Sequence, residues 1–144
     1  MKLNAVQNDQ KGRVMCGPAA ISAVTGNPVS CVKEFIYRVK GRRYVCSMSV
    51  KQVADTLRLM GYSADVKAIN VLKGNALKAP TFARWLRERE NVNEVYVLLL
   101  TDHFVAVNGR KMVDNHTMEP VFIGKAPWRR KRVRWTIRIQ KGGD

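Results

Sequence analysis

The chain has 144 residues, 46% of them hydrophobic, and its 26 Lys and Arg against 11 Asp and Glu give a formal charge of +15. That length suits one domain spanning 1–144 with a proper core and argues against wholesale disorder, and no run approaches the roughly 18 to 20 consecutive apolar residues of a membrane span. Three cysteines without a CxxC pair, and an N-terminus without an apolar signal region, set the expectation of free thiols in a cytoplasmic protein rather than a disulfide scaffold.

Helix signals fill the first 60 residues. Gly17 to Thr25 reads as a helix closed by Gly26, where the missing Cβ allows a positive φ. Asn27-Pro28 reads as an N-cap followed by proline in the first turn, opening a helix that runs to Gly41 with Val29, Val32, Phe35, Ile36 and Val39 on one face. A third helix is capped by Ser49, with Gln52 completing a capping box and Met48 placed to staple onto Val53; it stops at Gly61. Thr81 to about Glu90 is a shorter helix turning Phe82, Trp85 and Leu86 inward.

From Glu94 the pattern changes to strands. Val95 to Leu100 is a continuous apolar run consistent with a buried strand. His103–Val107 and Lys111–Asn115 flank Asn108-Gly109, a strong hairpin signal. Val121–Ile123 is a further short strand, and Arg132 to Ile139 alternates arginines with apolar residues, as in a basic edge strand protected from sheet-to-sheet pairing. Helices first and an antiparallel sheet after them make an α+β domain.

Chemistry concentrates at two points. Cys16 immediately precedes a helix, whose N-terminus carries about half a positive charge and unpaired N–H groups. Both stabilise a thiolate and an oxyanion forming beside it. In the hairpin, a two-residue type I′ loop at Asn108-Gly109 pairs His103 with Asp114 on one face, so that the carboxylate orients the imidazole. One slip of register gives that role to Asn115 instead. An oriented histidine is what a cysteine nucleophile needs as its general base or imidazolium partner.

Cys16-Gly17-Pro18-Ala19-Ala20, the late His103-Phe104-Val105-Ala106-Val107 and the following Asp114 resemble the papain-like cysteine peptidases, nearest to the small C39-like, bacteriocin-processing branch. Ser47-Met48-Ser49-Val50 before a helix ending Met60-Gly61-Tyr62 is similar to a second block of that branch. The resemblance implies a papain-like fold, attack by Cys16, proton transfer by His103 and orientation by Asp114. It also implies an oxyanion donor at Gln10, six residues before the cysteine, with Gln7 and Asn8 as nearby substitutes. A peptide or protein is then the expected substrate, and hydrolysis of a peptide or isopeptide bond the expected reaction. No cofactor is implied, and two histidines without paired ligand spacing point away from a metal.

The charge is uneven. Residues 125–144 hold eight Lys and Arg and one acid, with Arg129, Arg130, Lys131 and Arg132 the densest cluster. This asymmetry attracts anions, so the rival reading is a papain-like binding module that engages nucleic acid or an acidic protein. Trp85, Trp128 and Trp135 are expected to pack in the core or on the sheet, and Cys31 and Cys46 to serve packing.

Overall fold

The structure, a computed structural model, describes residues 1–69, 79–89, 91–125 and 128–142. Four helices, α1 (Cys16–Thr25), α2 (Val29–Lys40), α3 (Val50–Leu59) and α4 (Phe82–Glu88), accompany six strands. These are β1 (Tyr62–Ala68), β2 (Val95–Leu100), β3 (His103–Asn108), β4 (Lys111–Val113), β5 (Val121–Phe122) and β6 (Val133–Lys141). All pairings are antiparallel, in the order β1-β6-β2-β3-β4-β5. The architecture is α+β. No helix among the described residues is long and apolar enough to cross a membrane.

Local signals place most helix ends. Gly26 (φ 75°) and Gly41 (φ 74°) close α1 and α2 in the left-handed region. The capping box of α3 is complete: the Gln52 N–H donates to Ser49 Oγ at 3.1 Å, and the Ser49 N–H to Gln52 Oε1 at 3.0 Å. Thr81 caps α4 through its hydroxyl, accepting from the Arg84 N–H; the expected end near Glu90 lies outside the described residues. At α2 the structure differs from expectation. Pro28 holds the cap position, and the helix's free N–H groups are met by a distant segment: the Val29 N–H donates to the Gln7 carbonyl at 2.9 Å and the Ser30 N–H to Asp9 Oδ1 at 2.9 Å. The Asn27 carbonyl instead accepts from Ser22 Oγ. The N-terminal residues are thereby tied across α1 and α2, with the Asn4 N–H on the Ala23 carbonyl and the Val6 N–H on that of Met118.

Both faces of the sheet are covered. Helices α1, α2 and α3 press Ile21, Val32, Ile36, Val53 and Leu57 against Val97, Phe104, Ala106 and Ile137 on one face. On the other, Phe82 and Trp85 of α4 meet Tyr96, Leu98, Leu100, Val105 and Met112, with Trp85 and Tyr96 edge to face at 5.0 Å. Covering on both faces explains why β2 is apolar throughout rather than alternating. Two findings depart from the sequence reading. Strand β6 is interior, between β1 and β2, so its arginines guard no edge. Its register also shifts where Leu99 pairs with Trp135 and Leu100 with Val133, which leaves Arg134 as a bulge and interrupts the expected alternation. Strand β1, an edge strand of modest apolarity, had no counterpart among the expected elements. Of the expected strand Val121–Ile123, Val121 and Phe122 pair, and the chain then turns into a 3₁₀ segment at Ile123.

Candidate active site

Cys16 is the first residue of α1, after an extended Met15 whose side chain makes no cap. The opening turn of the helix therefore keeps N–H groups without a side-chain acceptor. The half-buried thiol borders a cavity of about 370 Å³ walled by Gly17, Val45, Met48, Leu99, Asp102 and Phe104. Met48 lies close over Gly17: a β-carbon there would sit 2.8 Å from the Met48 sulfur. Glycine thus leaves the space beside the thiol to the methionine.

Strands β2 and β3 are joined by a two-residue turn, Thr101-Asp102, with Asp102 in the left-handed region at φ 58°. This places His103 at the very start of β3, buried to 7% exposure. The next hairpin keeps the expected face but not the expected register. Asn108 pairs with Lys111, Val107 with Met112 and Ala106 with Val113. The loop is therefore Gly109-Arg110, and the positive φ at Gly109 alone (60°) fits a type II′ turn rather than I′. A shift of two positions preserves side-chain facing. Asp114 accordingly reaches His103 diagonally, with His103 Nε2 to Asp114 Oδ2 at 2.9 Å.

Asp114 is fully buried and fully engaged. Its Oδ1 accepts from the N–H groups of His116 (2.9 Å) and Thr117 (2.8 Å), and its Oδ2 also accepts from the Trp128 indole N–H at 2.6 Å. The Trp128 ring packs 5.0 Å from His103 and 5.1 Å from His116, so it shields the imidazole–carboxylate contact from solvent. The expectation that Trp128 only packs missed this bond, which joins residues fourteen apart through tertiary structure. Asn115, the alternative orienter, is committed elsewhere: its Nδ2 donates to the Val14 carbonyl at 3.1 Å and steadies the segment leading to Cys16. A Trp128→Phe substitution keeps the ring but removes one charge-assisted hydrogen bond. It is expected to cost about 1.5–3 kcal/mol in urea unfolding, whereas a purely packing tryptophan would tolerate phenylalanine with a smaller loss.

The groups polarise one another. Burial opposes a charge on His103, but the hydrogen bond to Asp114 and the interaction with Cys16 outweigh it and raise its pKa to about 9. Burial likewise opposes charge on Asp114; His103, the Thr117 and His116 N–H groups and the Trp128 indole hold its carboxyl far below the usual carboxylate range. For Cys16, burial works against ionisation, yet the hydrogen bond and charge of His103 and the backbone N–H groups of Phe104 and Gly17 pull the thiol pKa down. With Nε2 occupied by Asp114, Nδ1 is the imidazole nitrogen left to Cys16. His103 and the backbone N–H groups thus favour the thiolate of Cys16, and Asp114 favours the imidazolium of His103.

Other expected residues lie differently. Gln10 is exposed; its N–H donates to Asn8 Oδ1 at 3.0 Å and its side-chain amide makes a long 3.4 Å bond to the Asp9 carbonyl. Among the described residues no hydrogen bond joins it to Cys16 or His103. Asn8 spends its amide on the Gly12 carbonyl. The basic cluster is not one free patch either. Lys131 lies over the Trp128 ring at 4.9 Å and donates to the Thr101 carbonyl, and Arg132 donates to that of Ala79. Arg129 and Arg130 are left exposed.

No protein-family model and no curated protein matches the chain. Solved structures do. A double-glycine-motif protease from an AMS/PCAT transporter, in complex with its leader peptide, superposes with a TM-score of 0.59 at 14% identity, covering 97% of this chain and 92% of that one. The peptidase domain of Streptococcus ComA, a bifunctional ABC transporter of a quorum-sensing pathway, superposes with a TM-score of 0.62 at 12% identity, covering 98% and 99%. The chain therefore has the papain-like fold of C39-type peptidase domains over nearly its whole length.

Proposed function

We propose that this protein is a cysteine peptidase that opens a peptide or isopeptide bond through a thioester on Cys16. The observation that carries the reading is the relay itself: a half-buried thiol at a helix N-terminus, coupled to an imidazole that a buried carboxylate holds at 2.9 Å. In the reaction, Cys16 Sγ adds to the scissile carbonyl. The His103 imidazolium then gives its proton to the departing amine as the carbon–nitrogen bond breaks. Neutral His103 next takes a proton from water, whose oxygen attacks the thioester; the carboxylic acid leaves, and thiolate and imidazolium are restored. Asp114 keeps the imidazole oriented throughout. The Cys16 backbone N–H and the Gln10 amide are the donors to the tetrahedral oxyanion, Gln10 turning from its long bond to Asp9. A peptide substrate is supported by the leader peptide bound to one of the structural neighbours.

Alkylation tests this without a known substrate. At about pH 6, where an ordinary thiol with a pKa near 8.5 is almost wholly protonated, iodoacetamide is expected to modify Cys16 well before Cys31 and Cys46, as read by peptide mapping. His103→Ala should abolish that preference. Gln10→Ala should leave labelling unchanged while cutting peptide turnover about 10²- to 10³-fold. Equal labelling of the three cysteines, indifferent to His103, overturns the proposal.

A further inference from the structure

A concavity of about 600 Å³ lies away from Cys16, between α4 and the β4–β5 end of the sheet, and shares no lining residue with the cysteine cavity. Its apolar floor is Leu86, Val92, Phe122 and Ile123. Two of these are unusually open for their type, Phe122 at 62% and Val92 at 48% exposure. Isolated exposed apolar residues are ordinary, but an apolar strip within a groove marks a contact surface.

Charge says what kind of surface it is. Arg87, Arg110 and Arg129 rim the groove and Arg89 forms part of its wall, while its described lining includes no carboxylate. None of the four makes an ion pair among the described residues. Arg89 spends one nitrogen on the Gly109 carbonyl, and its buried Nε and Nη1 have no acceptor among the described residues. Four guanidinium groups around one hollow focus a positive field into it, and guanidinium forks match carboxylate geometry.

We infer that this groove is a docking site for an acidic, amphipathic peptide segment of a partner protein, apolar side chains on the floor and carboxylates on the arginine rim. Nucleic acid fits less well. Leu86, Val92 and Ile123 offer no planar surface for a base, and the Lys111 ammonium already lies 5.7 Å over the Phe122 ring. The site does not depend on the peptidase reading, because the groove shares no lining residue with the Cys16 cavity.

The test is fluorescence polarisation with the Cys16→Ser protein, so that turnover plays no part. The probe is a short fluorescein-labelled peptide alternating leucine and glutamate. It should bind, and its affinity should fall steeply with added salt. Replacing its glutamates by lysine, or its leucines by serine, should each lower affinity about tenfold or more. The double variant Arg87→Glu/Arg129→Glu should do the same, and Phe122→Ser, at an exposed position that leaves the core intact, should weaken binding severalfold. Unchanged affinity on reversing the peptide's charge overturns the proposal even if the arginine variant fails to fold. So does a labelled single-stranded oligonucleotide that binds more tightly and displaces the peptide.

Discussion

An Asp114→Ala protein is expected to lose about 3–5 kcal/mol of stability, the range for removing one partner of a buried ion pair, and to lower peptide turnover about 10⁴-fold. Four donors converge on this carboxylate: His103 Nε2, the Trp128 indole and the N–H groups of His116 and Thr117. Alanine leaves all four facing a void in a fully buried position. For a domain of this size such a loss lowers the melting temperature by roughly 10 °C. The pH dependence identifies the cause. The Asp114 pKa is depressed, so its contribution is present above the ordinary value near 4 and lost as pH falls below it. The His103 pKa is raised to about 9, so its contribution is full below about 6.5 and lost as pH rises through 9. The gap between wild type and variant should therefore be widest at mildly acidic pH and narrow toward both extremes. A gap independent of pH would mean that Asp114 matters only for the space it fills.

Above pH 9, alkylation and turnover are expected to part company. Alkylation needs only the thiolate, which persists once formed. In the proposed reaction turnover also needs the imidazolium proton for the leaving amine, and that proton is lost as pH rises through the raised His103 pKa of about 9. Turnover should thus fall about tenfold per pH unit beyond that point while the alkylation rate stays level. In Asp114→Asn the imidazole loses its anionic partner, and the alkaline limb should move down toward the ordinary histidine value near 6.5. Parallel rate profiles between about pH 5 and 10 decide the matter. If turnover and alkylation rise and fall together in both proteins, His103 is not the proton donor.

What could be read in advance divides along the range of the interactions. Ser49 and Gln52 cap α3 from three residues apart, so the pattern alone suffices. The glycines ending α1 and α2 are equally local. His103 and Asp114 met on the expected face because facing depends on parity, which survives a shift of two; the register itself depended on which residues took the turn, and Gly109 rather than Asn108 occupies its first position. Long-range partners escaped. Gln7 and Asp9 supply the α2 cap from the N-terminal segment. Trp128 reaches Asp114 from beyond β5. Strand β1 has little apolar signal of its own because its partner β6 supplies the pairing. The position of Gln10 came from resemblance alone, and its observed bonds are local ones within an exposed loop.

The insertion of β6 between β1 and β2 bears on how the molecule is made. During synthesis the three-helix unit with β1 and the β2–β3–β4 hairpins emerge as two pieces that share no strand pairing until Val133–Lys141 slides between them. Joining residues so far apart along the chain is slow, and until then β1 and β2 each expose an unsatisfied edge. The nascent polypeptide is therefore vulnerable to aggregation in the interval before β6 clears the ribosome, and chaperone capture should rise there.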